Sequence, residues 1–237
     1  VRDAFVRDGY AVVPELIGGS ALSSLRDLYD QFLRGEVDCG EDFRMLGGVT
    51  RQVKAPRLHH EGLASHPVVA AAGAAAAELL DCAEPELFFD MMIYKPPGHP
   101  ADTPWHQDLS YYIQPFTPAG RIPPMATTQL WIALDDADVE NGCMHFVPGV
   151  HGKPLLPHDV RGGDPADEGR LLAIVDAERE LDLSSAVACP VRAGGATAHF
   201  EGTPHYTPPN RSPDRPRRAY IMTWKDPVAF EAGAAAG

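Results

Sequence analysis

Thr103-Pro-Trp-His-Gln-Asp-Leu-Ser-Tyr-Tyr112 is the stretch on which the reading of this chain turns. It carries His106 and Asp108 two positions apart. Side chains alternate along an extended strand, so residues i and i+2 share a face. An imidazole and a carboxylate are thereby aimed at a common point with little backbone adjustment. The pair is two-thirds of the facial triad, two histidines and one carboxylate, that holds non-haem Fe(II) and leaves other coordination positions open. Taken alone, the tripeptide fits a surface strand equally well. Its meaning depends on a third ligand far downstream and on an anion-binding arginine close after that ligand.

Composition narrows the classes. A chain of 237 residues with 44% hydrophobic and 22% charged residues suits one sizeable domain with a real core. We expect a single domain over residues 1–237. The formal net charge of −13 argues against nucleic acid, which needs a basic footprint, and against an acidic membrane surface. Cys39, Cys82, Cys143 and Cys189 are widely spaced, with no CxxC. That pattern fits reduced, buried thiols in a cytoplasmic protein better than a disulfide scaffold or a zinc ribbon. No run of about 18 apolar residues and no signal-peptide pattern is visible, so no membrane partner is expected. The pattern says nothing of oligomeric state.

The N-terminal third reads as a short helix end, a strand over about Tyr10–Val13, and two longer helices on either side of an irregular stretch, residues 36–62, with an extended candidate at Arg51–Pro56. Ser20 is a candidate N-cap, and Leu22, Leu25, Leu28, Tyr29, Phe32 and Leu33 follow at helical spacing. The Ala-rich run from His66 to Leu80 reads as a second scaffold helix. The period changes at Glu86. Strands are expected over Glu86–Lys95, through the His106–Asp108 stretch, over Thr127–Asp135, and after an Asn141-Gly142 hairpin signal into Cys143–Val147. Closing strands are expected over Val187–Val191, Thr197–Phe200 and Arg217–Trp224. Residues 152–182, rich in Gly, Pro and charge, read as an insertion that is a lid or a variable surface loop. The tail 231–237 reads as frayed. Many short strands with Gly/Pro turns after a helical start suggest a jelly-roll, cupin-like barrel over about 86–226, with the N-terminal helices packed outside.

Two of the ten histidines, His199 and His205, sit late enough to approach the His106 strand from across a barrel, and spacing leaves both open as the third ligand. His59-His60 reads as a loop pair, because adjacent strand residues point to opposite faces. An Fe(II) oxygenase that uses a keto acid also needs an anchor for the far carboxylate. Arginine suits this through its planar fork of donors. Arg215, Arg217 and Arg218 lie near, and on a strand only one of Arg217 and Arg218 faces inward.

The chain resembles the phytanoyl-CoA dioxygenase family of Fe(II)/2-oxoglutarate-dependent oxygenases. Phe5-Val-Arg-Asp-Gly-Tyr-Ala-Val-Val13 opens the resemblance, and Tyr94-Lys-Pro-Pro97 leads to Trp105-His-Gln-Asp108. Trp131-Ile-Ala-Leu-Asp-Asp136, Glu140-Asn-Gly-Cys143 and Val147-Pro-Gly-Val-His151 follow. His205 to Asn210 and Arg217-Arg-Ala219 close it. Singly these are weak; in this order and spacing they are specific.

The resemblance implies a double-stranded β-helix. It places Fe(II) on His106, Asp108 and His205, favouring His205 over His199 because the family's distal His precedes the Asn by five positions. It places the far carboxylate of 2-oxoglutarate on Arg217, with Trp131, Gln129 and Lys54 beside the cosubstrate. It implies a dioxygenase that uses O2, releases succinate and CO2, and oxidises a C–H bond. Hydroxylation is the expected outcome, although desaturation, epoxidation, ketone formation and epimerisation use the same site. Relatives that halogenate replace the carboxylate ligand, and Asp108 disfavours that chemistry. The expected substrate is a small free metabolite, of the secondary-metabolite kind, and not a CoA thioester. Asp102, Tyr111, Tyr112 and Gln114 are candidates for the pocket mouth. Two rivals stay open: a cupin-like zinc hydrolase or isomerase that does not use 2-oxoglutarate, and a non-catalytic binding barrel.

Overall fold

The computed structural model describes residues 1–112, 125–162 and 170–235. Their strands, in chain order, are β1 (Tyr10–Val13), β2 (Phe43–Leu46), β3 (Thr50–Lys54), β4 (Glu86–Lys95), β5 (Thr103–His106), β6 (Thr127–Ala133), β7 (Met144–Phe146), β8 (His158–Gly162), β9 (Leu171–Ile174), β10 (Val187–Cys189), β11 (Ala196–His199), β12 (His205–Thr207) and β13 (Arg217–Lys225). They form a seven-stranded sheet ordered β1-β11-β6-β13-β4-β3-β2, a four-stranded sheet ordered β10-β7-β12-β5, and the β8–β9 hairpin. Pairing is antiparallel throughout. The fold is the expected mainly β architecture with flanking helices, and the large sheet also recruits β1, β2 and β3 from before residue 86.

Period-two alternation explains why the large sheet is buried on both sides. Along β6, Leu130 and Ile132 join one apolar cluster, while Trp131 and Ala133 join another. Along β13, Tyr220, Met222 and Trp224 go to the first, and Ala219 and Ile221 to the second. The first cluster is shared with the helices Gly19–Leu33 and Pro67–Leu80, through Leu25, Tyr29, Val68, Ala72 and Ala76. The second contains Phe146, Met144 and Cys189 from the small sheet. The near-continuous apolar run Leu130–Leu134 is therefore a strand with a core on each face.

The stretch Glu61–Leu80 meets the length and composition of a membrane span. It is broken between Ala64 and Pro67, and its second helix buries Val68, Ala72, Ala76 and Leu79. His66 caps that helix by accepting from Val68 N at 3.1 Å.

Four local expectations are corrected. Asn141-Gly142 does not join a hairpin: β6 lies in the large sheet, whereas β7 pairs with β10 and β12 in the small one. Asn141 is buried and ties this crossover, accepting from Asp138 N at 2.7 Å and donating to Asp136 O at 2.8 Å. Gly142 holds φ +98°, and a Cβ there would meet Pro208 O at 2.8 Å, so only glycine fits. The strand carrying His106 ends at that residue, and Asp108 lies in the turn into the helix Leu109–Tyr112. Ser20 lies inside its helix, whose cap position is Gly18, because Gly194 O takes the Leu16 and Ile17 amides and fixes the chain just before it. Residues 231–235 are helical within Pro227–Ala235, where an Ala-rich composition and the Asp226 cap, which takes the Val228 and Ala229 amides, favour helix.

Ile132, fully buried in the middle of the large sheet, tests the packing. Ile132→Ala should cost about 2–5 kcal/mol, read as a lower urea midpoint at unchanged slope. A loss below about 0.5 kcal/mol would place it outside a packed core.

Candidate metal centre

β12 lies beside β5 in the small sheet, and its register sets His205 opposite His106. The two rings stand 4.0 Å apart, centroid to centroid. Asp108 reaches the same point from the turn after β5, held by Tyr111 N donating to Asp108 O and Ser110 N to Gln107 O, both at 3.0 Å. Its carboxylate lies 3.5 Å from His106 Nε2 and 3.6 Å from His205 Nε2. The three ligand atoms fall within 4.8 Å of one another, and all three residues are buried.

Both imidazoles are locked in one tautomer. His106 Nδ1 donates to Pro104 O at 2.7 Å, and His205 Nδ1 to Thr203 O at 2.9 Å. A carbonyl can only accept, so Nδ1 carries the proton and the Nε2 lone pairs face the cluster, as metal ligation requires. Burial pushes the His205 imidazole well below its usual range, with His106 adding to the effect. Burial opposes ionisation of Asp108, but its imidazole neighbours outweigh it and hold the carboxyl well below the ordinary carboxylate range. One carboxylate and two imidazoles are the donor set that a divalent cation takes.

His199 is also buried, but its Nε2 meets Asp108 Oδ2 at 3.1 Å, and it is not a member of the three-residue cluster. Gln129 Nε2 donates to the same oxygen at 2.8 Å.

One step along β6 from Gln129, Trp131 lies under the Arg217 guanidinium, 5.2 Å from Cζ to ring. Residues i and i+2 on a strand share a face, so the Arg217 guanidinium, reaching Trp131, lies on the same side of β6 as Gln129. Arg217 is 1% exposed. Its Nη1 makes only a long contact to Gly142 O at 3.4 Å, and its Nε has no partner among the described residues. Burial brings the guanidinium down to about 10. The neighbouring arginines are spoken for: Arg215 pairs with Asp138 and Glu140, and Arg218 with Asp135 and Asp30. Directly across from Arg217 in the register stands Lys95, fully buried, donating to Thr207 Oγ1 and Pro208 O at 3.0 Å. Burial and then Arg217 hold its amine well below its usual range. Two basic side chains facing each other in a dry interior, neither with an ion-pair acid among the described residues, suit an anion.

These features meet what is found in known proteins. The sequence matches the phytanoyl-CoA dioxygenase (PhyH) family over residues 5–219. The chain belongs to that family. It is 32% identical over 144 residues, 60% of its length, to phytanoyl-CoA dioxygenase domain-containing protein 1 of Danio rerio, and that region spans 46% of the zebrafish protein, less than half. The structure of EvdO2 from Micromonospora carbonacea var. aurantiaca complexed with 2-oxoglutarate is 35% identical, with a TM-score of 0.76, covering 95% of this chain and 89% of that one. The epimerase SnoN in complex with Fe3+, alpha ketoglutarate and nogalamycin RO is 25% identical, with a TM-score of 0.68, covering 95% of this chain and 82% of that one. The cofactors of this group are iron and 2-oxoglutarate, and the PhyH chain carries a His-Asp-His triad suited to iron.

In this PhyH-family chain a cavity of about 390 Å³ opens onto His106, Asp108 and Gln129. Phe89, Met91, Ile93 and Leu171 give it apolar walls, with Lys54 and Tyr111 among its polar residues. Its volume suits a small molecule. The Tyr111 hydroxyl accepts from Leu172 N at 2.9 Å, tying the helix after Asp108 to β9. Asp102, a candidate for the pocket mouth, faces Arg161 at 3.9 Å, on the side of β8. Tyr112 ends its helix, and its side chain and all of Gln114 lie outside the described residues.

The 152–182 segment contributes β8 and β9, with residues 163–169 outside the described residues. It grips the residue between the two ligands. His158 Nε2 accepts from Gln107 N at 3.0 Å, and Leu156 N donates to Gln107 Oε1 at 3.0 Å. Gln107 Nε2 in turn donates to Gly202 O at 2.7 Å. Gln107, His158 and Lys95 are site residues that sequence reasoning missed. A buried lysine ending the apolar strand β4 was the one legible sign among them.

His106→Ala and Asp108→Ala should each abolish Fe(II) binding, read by anaerobic titration, while thermal unfolding stays cooperative. Native metal affinity in either variant would show that the cluster is not the site.

Proposed function

We propose that this PhyH-family chain uses Fe(II), 2-oxoglutarate and O2 to oxidise a C–H bond of a small free metabolite, with hydroxylation as the outcome. The observation that carries the reading is a buried triad of metal-ligand type on the side of β6 that also bears Trp131, with the guanidinium of a buried Arg217 over that ring and no ion-pair acid for Arg217 among the described residues. A five-carbon dicarboxylate that meets a metal with one end and a guanidinium with the other suits that pair of sites. When bound, Fe(II) and 2-oxoglutarate supply the oxidising chemistry, with the keto acid leaving as succinate and CO2.

The chain's own part is to bind and orient. His106, Asp108 and His205 would hold the metal through one face, leaving the rest of its coordination to the cosubstrate and dioxygen. Arg217 would fix the far carboxylate, with Trp131 stacked behind the guanidinium. The apolar cavity walls would exclude water and set which C–H bond faces the centre. Lys54 lies in that wall and is assigned to the same small-molecule space. The net charge of −13, with no basic cluster in the sequence apart from the C-terminal arginines, disfavours a CoA diphosphate and supports a free metabolite over an acyl-CoA.

Epimerisation is the second reading, supported by the likeness to SnoN, an epimerase. The deciding experiment is a metabolite-library screen with Fe(II), 2-oxoglutarate and O2, read as succinate and by mass of the product. Succinate together with a product heavier by one oxygen is expected. Succinate with an isomer of unchanged mass would replace hydroxylation by epimerisation. Zinc-supported turnover without succinate would overturn the class.

Arg217→Ala should raise the 2-oxoglutarate requirement by about 10² or more, the loss of a charged hydrogen bond worth about 3 kcal/mol. Arg215→Ala and Arg218→Ala should leave it unchanged. An unaltered requirement in Arg217→Ala would move the anchor elsewhere.

A further inference from the structure

His199 and Gln129 are directly opposed across β11 and β6. Opposed residues of an antiparallel pair place their side chains side by side on one face. Both reach one atom: Asp108 Oδ2 receives Gln129 Nε2 at 2.8 Å and His199 Nε2 at 3.1 Å.

The His199 imidazole is fully buried, between Phe146 at 5.2 Å and His205 at 4.4 Å, ring to ring. Its Nδ1 has no partner among the described residues, so Asp108 is the single polar contact of the ring there. Burying an imidazole with half its polar capacity unmet is unfavourable, and an apolar ring would fill the same space without that cost. The contact to Asp108 is what distinguishes His199 from a packing residue.

A carboxylate oxygen offers two lone pairs in its plane. Oδ1 stands 3.5 Å from His106 Nε2 and Oδ2 3.6 Å from His205 Nε2, so distance alone does not choose between them, but the two donors on Oδ2 occupy both of its lone pairs. We infer that His199 and Gln129 are positioning residues, a cross-strand pair of donors that holds Asp108 Oδ2 so that the carboxylate meets the metal through Oδ1 alone. The inference rests on the metal-centre reading above.

The test is anaerobic Fe(II) titration of the purified full chain, with the visible spectrum of the Co(II)-loaded protein, which reports coordination number and geometry. His199→Phe keeps the ring and removes the donor. It should weaken Fe(II) binding about 10- to 100-fold, as lost partners of metal ligands do, and change the Co(II) spectrum, while the melting temperature without metal stays near native. His199→Gln, whose terminal amide can stand near the position of Nε2, should restore both. Gln129→Leu removes the other donor to the same oxygen and should weaken binding in the same range, which keeps the question answerable if His199→Phe does not fold. Native affinity and a native spectrum in His199→Phe or Gln129→Leu, or no rescue by His199→Gln, would overturn the inference. A native protein that binds no Fe(II) would overturn the metal-centre reading itself.

Discussion

The register of β12 on β5 is the constraint on which the site depends. Setting His205 opposite His106 brings two imidazoles from positions far apart in sequence to within one ring width. A slip of one residue would turn His205 to the other face and leave the cluster with two members. Local contacts support that register. Each histidine is locked by its own backbone through a carbonyl two residues earlier. Gln107, between the two ligands of β5 and its turn, is tied to the β8 region and to Gly202. The metal-binding geometry is thus set by backbone hydrogen bonds before any ion arrives.

The two sheets divide the work. The small sheet and the turn after β5 supply the ligand set, one carboxylate and two imidazoles. The large sheet supplies what surrounds it: Gln129 and His199 against Asp108, Trp131 one pleat further along β6, and Arg217, opposite Lys95, with its guanidinium over that ring. The polar groups are opposite in kind, a carboxylate among imidazoles at the triad and the buried basic pair Arg217 and Lys95 on the large sheet. A dry interior tolerates each only with a counter-charge. The first is complementary to a cation and the second to an anion, and the cavity between apolar walls opens onto the first, at His106 and Asp108. Family membership and this electrostatic pattern point to the same chemistry by independent routes.

What could be read from sequence was what local periodicity encodes. β4 and the helix Pro67–Leu80 fall close to where alternation and Ala-rich spacing put them, and Arg217 is the inward member of its pair because neighbours on a strand point apart. The hairpin reading of Asn141-Gly142 failed because a tight turn has the same residues whether it returns within a sheet or crosses to another. Asn141 decides this through contacts to Asp136 and Pro216 that sequence does not display. His106 and Asp108 converge, but by strand end plus turn and not by strand alternation alone. The choice between His199 and His205 was open on spacing because both lie late in the chain, and family resemblance favoured the second. That His199 instead supports Asp108, and that Lys95 faces Arg217, are facts of cross-strand register, invisible until the strands are paired.

The most direct measurement is an anaerobic crystal structure of the chain soaked with Fe(II) and 2-oxoglutarate. The account requires iron on the Nε2 atoms of His106 and His205 and on one oxygen of Asp108, with the keto-acid end of 2-oxoglutarate on the metal and its far carboxylate on Arg217. Iron ligated by His199 in place of His205, or a cosubstrate whose far carboxylate lies away from Arg217, would contradict it.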